Sequence, residues 1–143
     1  MAELNGFEAM MAALESIAAK VYAGTPGALG QAGHLVEGLV KMELSRTSHP
    51  RGTPTPSAPG SPPSLISGAL RRSIQVEGPQ PVGAAAWSVS IGTNIVYGPI
   101  QERGGVAGRG ARLPARPYMY PGLMAALPGI EALMYQAWAD ALN

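Results

Sequence analysis

The segment SVSIGTNIVYGPIQERGG, from Ser88 to Gly105, combines the end of a strand, a turn and a short helix. Apolar residues alternate with serines up to Ile91, which is the two-residue period of a half-buried strand. Gly92 then breaks the pattern, and Asn94 is placed to cap a helix that ends at the two glycines. We therefore expect the rest of the chain to pack around this unit.

A second strand precedes this segment, and the two strands together predict an antiparallel hairpin. The apolar positions that alternate with polar ones are Ile74, Val76, Trp87, Val89 and Ile91. The residues between the strands, Gly78 to Gly83, are rich in Gly and Pro and are predicted as the loop. Because this loop is longer than a two-residue turn, the buried face must set the register. Ahead of the hairpin, Ser67 is predicted to cap a short helix that carries Leu70.

The N-terminal region predicts a pair of amphipathic helices. From Leu4 to Val21, apolar residues recur at intervals of three and four, including a pair of methionines that we interpret as core. Asn5 is the predicted N-cap and Gly24 the predicted C-cap of this helix. Thr25 followed by Pro26 is typical of the start of a second helix. Four glycines of the second helix are predicted to allow close approach of another helix: Gly27, Gly30, Gly33 and Gly38.

The C-terminal region predicts two further helical runs. The first, from Leu123 to Leu127, is expected to stop at Pro128 and Gly129, because proline lacks the N–H group that a helix interior requires. The second begins at Ile130 and carries Trp138, which we interpret as a core anchor or a subunit contact.

A proline-rich segment, HPRGTPTPSAPGSPP from His49 to Pro63, separates the helical region from the hairpin. It holds six of the fourteen prolines and no large apolar residue. Two interpretations stay open: a mobile surface loop or linker, and an arm that lies on a neighbouring subunit. In an extended polyproline conformation at ~3.1 Å per residue, the segment would span roughly 45 Å.

A basic loop follows the short helix and contains no acidic residue. Its four arginines are Arg103, Arg109, Arg112 and Arg116. They would contact either DNA phosphates or acidic residues of a neighbouring protein, and the sequence favours neither alternative. In the overlapping segment LPARPYMYPG, three prolines fix an extended path, and Tyr118 and Tyr120 are placed to pack against a sheet edge.

The composition excludes several classes of chemistry. The 143-residue chain has no cysteine, which excludes disulfides, thiolate metal sites and thiol catalysis. No GxSxG elbow, HExxH pair or phosphate-binding loop occurs, and His34 has no second ligand at a suitable spacing. We therefore predict that the protein is not an enzyme and holds neither a metal nor a cofactor.

The low charge of the chain indicates a protein that buries much of its surface against partners. Charged residues make up 13% of the sequence, about half of the usual ~25%. The formal net charge is +1, which disfavours nucleic-acid binding as the main activity. No apolar run approaches the ~18 residues that a membrane span needs, so no membrane partner is expected.

Three segments in this order and spacing resemble one protein family. They are SGALRRSI at Ser67 to Ile74, IGTNIVYGPIQERGG at Ile91 to Gly105, and LPARPYMYPGL at Leu113 to Leu123. Together they resemble the head-tail joining, or neck and tail-completion, proteins of long-tailed bacteriophages. The opening LNGFEAMMAAL is also similar. Two positions depart from the family pattern: Gly98, where alanine is common, and Arg103, where an aromatic residue is common.

The resemblance implies an α+β subunit in which a small antiparallel sheet is packed by helices. In this sequence the predicted helices are an N-terminal helix pair and a C-terminal helix, with a proline-rich extended arm. We predict one domain over residues 1–143, with a helical region at 1–46, the proline-rich arm or loop at 47–63, and the sheet, arginine-rich loop and C-terminal helix at 64–143.

The resemblance also implies a mechanical function. The subunit would form a homo-oligomeric ring, sixfold or twelvefold, at the head-tail junction of the virion after synthesis in the bacterial host cytoplasm. Its partners would be connector and tail-tube proteins, and genome DNA would pass through the lumen without sequence-specific contact. A tail terminator ring and a nucleic-acid-binding accessory domain are the alternatives.

We expect the subunit or partner contacts to come from a defined set of side chains. They are Arg71, Arg72, Tyr97, Glu102, Arg103, Arg109, Arg112, Arg116, Tyr118 and Tyr120. Within this set, Glu102 is expected to pair across a subunit boundary, so that reversing its charge would block assembly without unfolding the subunit.

Overall fold

Two long helices and a β-hairpin give the protein the α+β fold that the sequence predicts. The computed structural model describes residues 2–53 and 55–143, with side chains from Asn5 onward, so Pro54 and the side chain of Leu4 lie outside the described part. The elements are α1 (Ala2–Glu43), α2 (Ala69–Ser73), β1 (Gln75–Val82), β2 (Ala86–Gly92), α3 (Gly98–Arg103), β3 (Gly105–Val106), β4 (Arg112–Leu113) and α4 (Met119–Leu142).

The predicted N-terminal helix pair is instead one continuous helix of 42 residues, α1. Pro26 lies inside it and has no N–H group for the carbonyl of Tyr22. The indole Nε1 of Trp87 donates to that carbonyl at 3.1 Å, which replaces the missing bond. Thr25 is an interior residue as well, because its Oγ1 donates back to the carbonyl of Val21 at 2.7 Å. This tertiary hydrogen bond allows α1 to continue past Pro26, where the local sequence predicts the end of one helix and the start of another.

Both predicted caps of the first helix are wrong, because neither residue lies at a helix end. Asn5 lies within the first turns of α1, which begins at Ala2. Gly24 packs against the C-terminal end of α4, where a Cβ on it would lie 3.0 Å from the Cβ of Ala141.

Helix α4 also continues through its proline, so the predicted interruption at Pro128 is wrong. Close packing against α1 explains the continuity. Gly122 lies on Val40, and a Cβ at Gly122 would come within 2.8 Å of the Val40 backbone. Gly129 lies against Leu35 in the same way, at 2.5 Å from Cδ2. Contacts along both helices hold α4 in place where one internal hydrogen bond is lost.

The antiparallel hairpin of β1 and β2 is confirmed, with Val76 opposite Ile91 and Val82 opposite Ala86. Its loop is shorter than predicted. Most of the expected loop continues β1 past an irregularity in the register between Glu77 and Gln80, which leaves three residues to turn the chain.

The hairpin packs on α1 where that helix carries glycine. A Cβ at Gly33 would lie 2.8 Å from Val89 and 2.9 Å from Val76, and Gly30 lies against Pro79. Gly30 and Gly33 thus allow the hairpin to approach α1 closely, whereas the sequence predicted the close approach of another helix. Gly27 and Gly38 have open space where a Cβ would lie, so close packing does not require glycine at these two positions.

The two short helices begin later than predicted. Gly68, with a positive φ, is the N-cap of α2, and the Ser67 hydroxyl accepts only from the amide of Ala69 at 3.3 Å. Helix α3 begins at Gly98, so Asn94 does not cap it. The predicted C-cap of α3, Gly104, is confirmed.

The core joins both long helices to the short elements between them. Its buried members are Val36, Val40, Leu44, Leu70, Ile74, Tyr118 and Ala126. Among the described residues, no helix is long and apolar enough to cross a membrane.

The proline-rich segment forms a closed loop on its own subunit. Ser48 and Leu65 form a bridge at the two ends, and the Leu65 amide donates to Thr47 at 2.7 Å. In the middle, the amide of Gly60 donates to the carbonyl of Ala115 at 2.8 Å. The extended span of roughly 45 Å is therefore wrong, because the ends of the segment meet. Contact of this loop with a neighbouring subunit stays a prediction.

Candidate functional site

Glu102 caps helix α4 from the end of α3. One carboxylate oxygen, Oε2, accepts from the amides of Tyr118 at 2.7 Å and Met119 at 2.9 Å. The other, Oε1, accepts from the amide of Tyr120 at 3.0 Å. These amides have no partner within the helix, and the negative charge lies at the positive end of the helix dipole. Both carboxylate oxygens of Glu102 are thus used within the subunit, and its contact across a subunit boundary stays a prediction.

Tyr118 is the most deeply placed of the predicted contact residues, with 1% of its surface exposed. Its hydroxyl donates to the carbonyl of Gly98 at 3.1 Å. Burial raises the pKa of Tyr118 to about 12, and the negative charge of Glu102 and the neighbouring Tyr97 add to the rise. Tyr118 is thus a core residue and cannot contact a partner as predicted.

The same packing leaves no room for a side chain at Gly98. A Cβ there would lie 2.5 Å from the Cγ2 of Thr93 and 3.1 Å from the hydroxyl of Tyr118. An alanine at this position would not fit without a shift of these neighbours.

The side chain of Arg116 contacts the proline-rich loop and is not exposed on the basic loop. It is buried, and its Nε donates to the carbonyl of Ser57 at 2.9 Å. Its amide donates to the carbonyl of Gln101 at 2.7 Å. The prediction of a partner contact for Arg116 is therefore corrected: its side chain anchors the loop from inside.

The other three arginines of the basic loop stay exposed. Strands β3 and β4 pair antiparallel, so the loop is a small hairpin whose tip carries Arg109 with a left-handed φ of 62°. Arg103 and Arg112 are exposed on either side of it. None of the three belongs to an ion pair within the described residues.

A pocket brings two predicted contact residues together with one that sequence reasoning missed. Arg71 and Tyr97 line it with Arg51, and its volume is about 470 Å³. Its apolar wall includes Leu65 and Leu70. Arg51 was missed because it lies in the proline-rich segment, and only the closure of that loop brings it beside α2.

The remaining predicted contact residues, Arg72 and Tyr120, are exposed. Arg72 donates from its Nη1 to the carbonyl of Ser67 at 2.9 Å. Tyr120 is 63% exposed at the first turn of α4.

The first turns of α1 project from the body of the protein as an uncovered helix. Every residue from Asn5 to Lys20 is exposed, because the shorter α4 ends opposite Gly24. The large apolar side chains of this projecting helix are between 40% and 57% exposed: Phe7, Met10, Met11, Leu14 and Ile17. The predicted assignment of Met10 and Met11 to the core is wrong, because helical periodicity shows a face without showing what covers it.

Comparisons of the chain with family models, curated proteins and solved structures found no match. In the part of the chain that the structure describes, no group of three or more His, Asp or Glu side chains is arranged to hold a metal ion.

Proposed function

We propose that this protein is a structural virion subunit that assembles into a ring at the head-tail junction of a long-tailed phage. The observation that carries the proposal is the projecting helix, whose five large apolar side chains have no partner within the described subunit. An apolar stripe of this kind marks a protein-protein contact. The low charge of the whole chain, 13%, agrees with a subunit that is covered on several sides.

The segments that carry the family resemblance support the same proposal. Gly98 and Glu102 from the second segment contact Tyr118 from the third, through the hydroxyl and the backbone amide respectively. Ser73 from the first segment bonds Thr93 of the second. The resemblance therefore rests on residues that form one connected unit, rather than on three unrelated surface segments.

Native mass spectrometry and negative-stain imaging of the purified full chain test this proposal. We expect closed rings of six or twelve copies, as the resemblance implies. A chain that stays monomeric at all accessible concentrations would contradict it. Binding to a connector would then indicate a neck ring, and binding to the end of a tail tube would indicate a tail terminator.

The exposed arginines favour a second candidate function, a nucleic-acid-binding accessory domain. Arg109 and Arg112 lie on one small hairpin, and Arg103 precedes it at the end of α3. None of the three forms an ion pair among the described residues. This function predicts affinity for duplex DNA that falls steeply with salt. It also predicts that replacing the three arginines with serine abolishes binding in a fluorescence anisotropy titration. A monomer with such salt-sensitive binding would favour this candidate over the ring.

A further inference from the structure

The projecting helix is acidic as well as apolar. From Asn5 to Lys20 it carries Glu8 and Glu15, and its one basic residue is Lys20 at the end that adjoins the body. These glutamates are seven residues apart, so they lie two turns apart on the same flank of the helix. The apolar stripe runs beside that flank. A surface that receives this helix should therefore be apolar with positive charge at its edge.

The pocket beside α2 has that character. Leu44, Leu65 and Leu70 line its apolar side, with Leu65 the most exposed of the three, and the exposed Arg51 and Arg71 line it as well. No acidic residue of the described chain lines it. The ion pairs within the described residues involve neither arginine. Arg71 donates only to a backbone carbonyl, that of Lys41, at 3.3 Å.

One copy cannot place its own helix in its own pocket. Leu14 lies near the middle of the projecting helix, and Leu44 lines the pocket just beyond the other end of α1. At 1.5 Å per residue, the continuous helix separates them by about 45 Å. Any contact between these two surfaces must join different copies.

Pairing of two projecting helices with each other is less favourable. In an antiparallel pair of identical helices, equivalent flanks face each other. Glu8 and Glu15 of one copy would then meet the same residues of the other, and like charges at this range are destabilising. The arginine pocket offers charge of the opposite sign.

We infer that the projecting helix of one copy docks in the Arg51–Arg71 pocket of a second copy. The apolar stripe covers the leucine wall, and Glu8 and Glu15 lie beside the two arginines. The contact is head-to-tail, so each copy offers one helix and one pocket, and repetition closes a ring when the rotation allows it. In that respect the inference rests on the proposed function.

The projecting helix offers a large apolar surface for one element. Five large side chains that are about half exposed provide roughly 500 Å² of it. A specific interface buries about 500 Å² or more on each partner, so the contact must extend from the pocket onto the surface around it. A closed ring repeats the contact at every boundary, which raises the stability of the assembly above that of one pair.

Charge exchange in the full chain tests this inference. The helix variant combines Glu8→Arg with Glu15→Arg, and the pocket variant combines Arg51→Glu with Arg71→Glu. Each variant alone should weaken self-association more than about tenfold in sedimentation analysis, because like charges then meet at the contact. Mixing the two variants should restore assembly, since each helix then meets a pocket of opposite charge. Circular dichroism confirms that each variant is folded.

A matched control adds positive charge to the face of the same helix that lies opposite the apolar stripe. Asn5→Arg combined with Ala12→Arg has the same seven-residue spacing and should leave assembly unchanged. Loss of assembly in the helix variant with none in the pocket variant would overturn the inference and show that the acidic flank of the helix contacts a surface other than this pocket.

The outcomes also separate this inference from the proposed function. Rings that persist in both variants would overturn the docking contact and leave the proposed ring intact. Charge-dependent dimers or open chains without rings would support the docking contact and contradict the proposed function. A wild-type chain that stays monomeric would overturn both.

Discussion

Glu102 shows how one side chain can hold two elements together. The residue at the start of α4, Tyr118, provides no side-chain cap of its own. The carboxylate of Glu102 comes from sixteen to eighteen positions away in the chain and accepts the first amides of the helix instead. Local capping patterns could not predict this role, because they consider only residues next to the helix start. The sequence singled out Glu102 for a contact between subunits and did not predict its role within the subunit.

Removing this cap should destabilise the subunit. We expect Glu102→Ala to lower the free energy of unfolding by about 2 kcal/mol, because it removes a charged acceptor from three amides. Urea denaturation measures the change. Glu131→Ala, an exposed position on the same helix, is the control and should change stability by less than about 0.5 kcal/mol. Equal stability of the two variants would contradict the capping role.

The hydroxyl of Tyr118 makes stability depend on alkaline pH. Its pKa in the folded protein is raised from 10.0 to about 12, chiefly by burial. The neutral phenol is therefore favoured by folding, so its contribution is complete below pH 10 and is lost as pH rises toward 12. A spectrophotometric titration of tyrosine ionisation should show one late component that disappears in Tyr118→Phe. A variant with an unchanged titration curve would show that another tyrosine is responsible.

At the scale of elements, α1 depends on contacts that are distant in sequence. Its periodicity predicted the helical residues on both sides of Gly24, but the local residues there predicted a break. The bond that replaces the missing amide of Pro26 comes from Trp87, 65 residues beyond its acceptor, Tyr22. Trp138 reaches the same turn and donates to the Thr25 hydroxyl at 3.0 Å. Sequence patterns that span one helix carry no information about such donors.

A double-mutant cycle tests this replacement. We expect Trp87→Phe to cost about 1 kcal/mol of stability in the wild-type chain, and clearly less when Pro26→Ala is also present. In the double variant, the restored amide at position 26 can bond the carbonyl of Tyr22. Chemical denaturation of the four proteins gives the coupling energy.

Trp138→Phe is the control for this cycle, because it removes a bond to the Thr25 hydroxyl and leaves the Tyr22 carbonyl bonded. Trp138→Phe should lower the free energy of unfolding by the same amount with and without Pro26. An identical cost of Trp87→Phe in both backgrounds would show that the indole bond does not compensate for the proline.

At the scale of the whole molecule, the unequal lengths of the long helices divide the protein into a body and a projection. Helix α1 has 42 residues and α4 has 24, and the difference leaves the first turns of α1 uncovered. The α+β class, the hairpin and its buried face were all predictable from alternation and helical period. The length of the uncovered part was not, because it depends on where α4 ends relative to α1.

Removing the projection should separate folding from assembly. We expect a chain that begins at Lys20 to keep a thermal midpoint close to that of the full protein, because, among the residues whose burial is described, every core residue lies beyond the deleted part. The same chain should fail to self-associate in native mass spectrometry. A truncated protein that no longer folds would show that the first turns of α1 stabilise the body.

The absence of a break in α1 has a mechanical consequence. Flexibility at Pro26 would have allowed the first turns of the helix to swing relative to the body. Because Trp87 and Trp138 both form hydrogen bonds with the turn around this proline, the projecting helix is held rigid relative to the body. Whatever binds its tip is held at a set distance and angle from the body, so the spacing of an assembly is encoded in the number of helical residues.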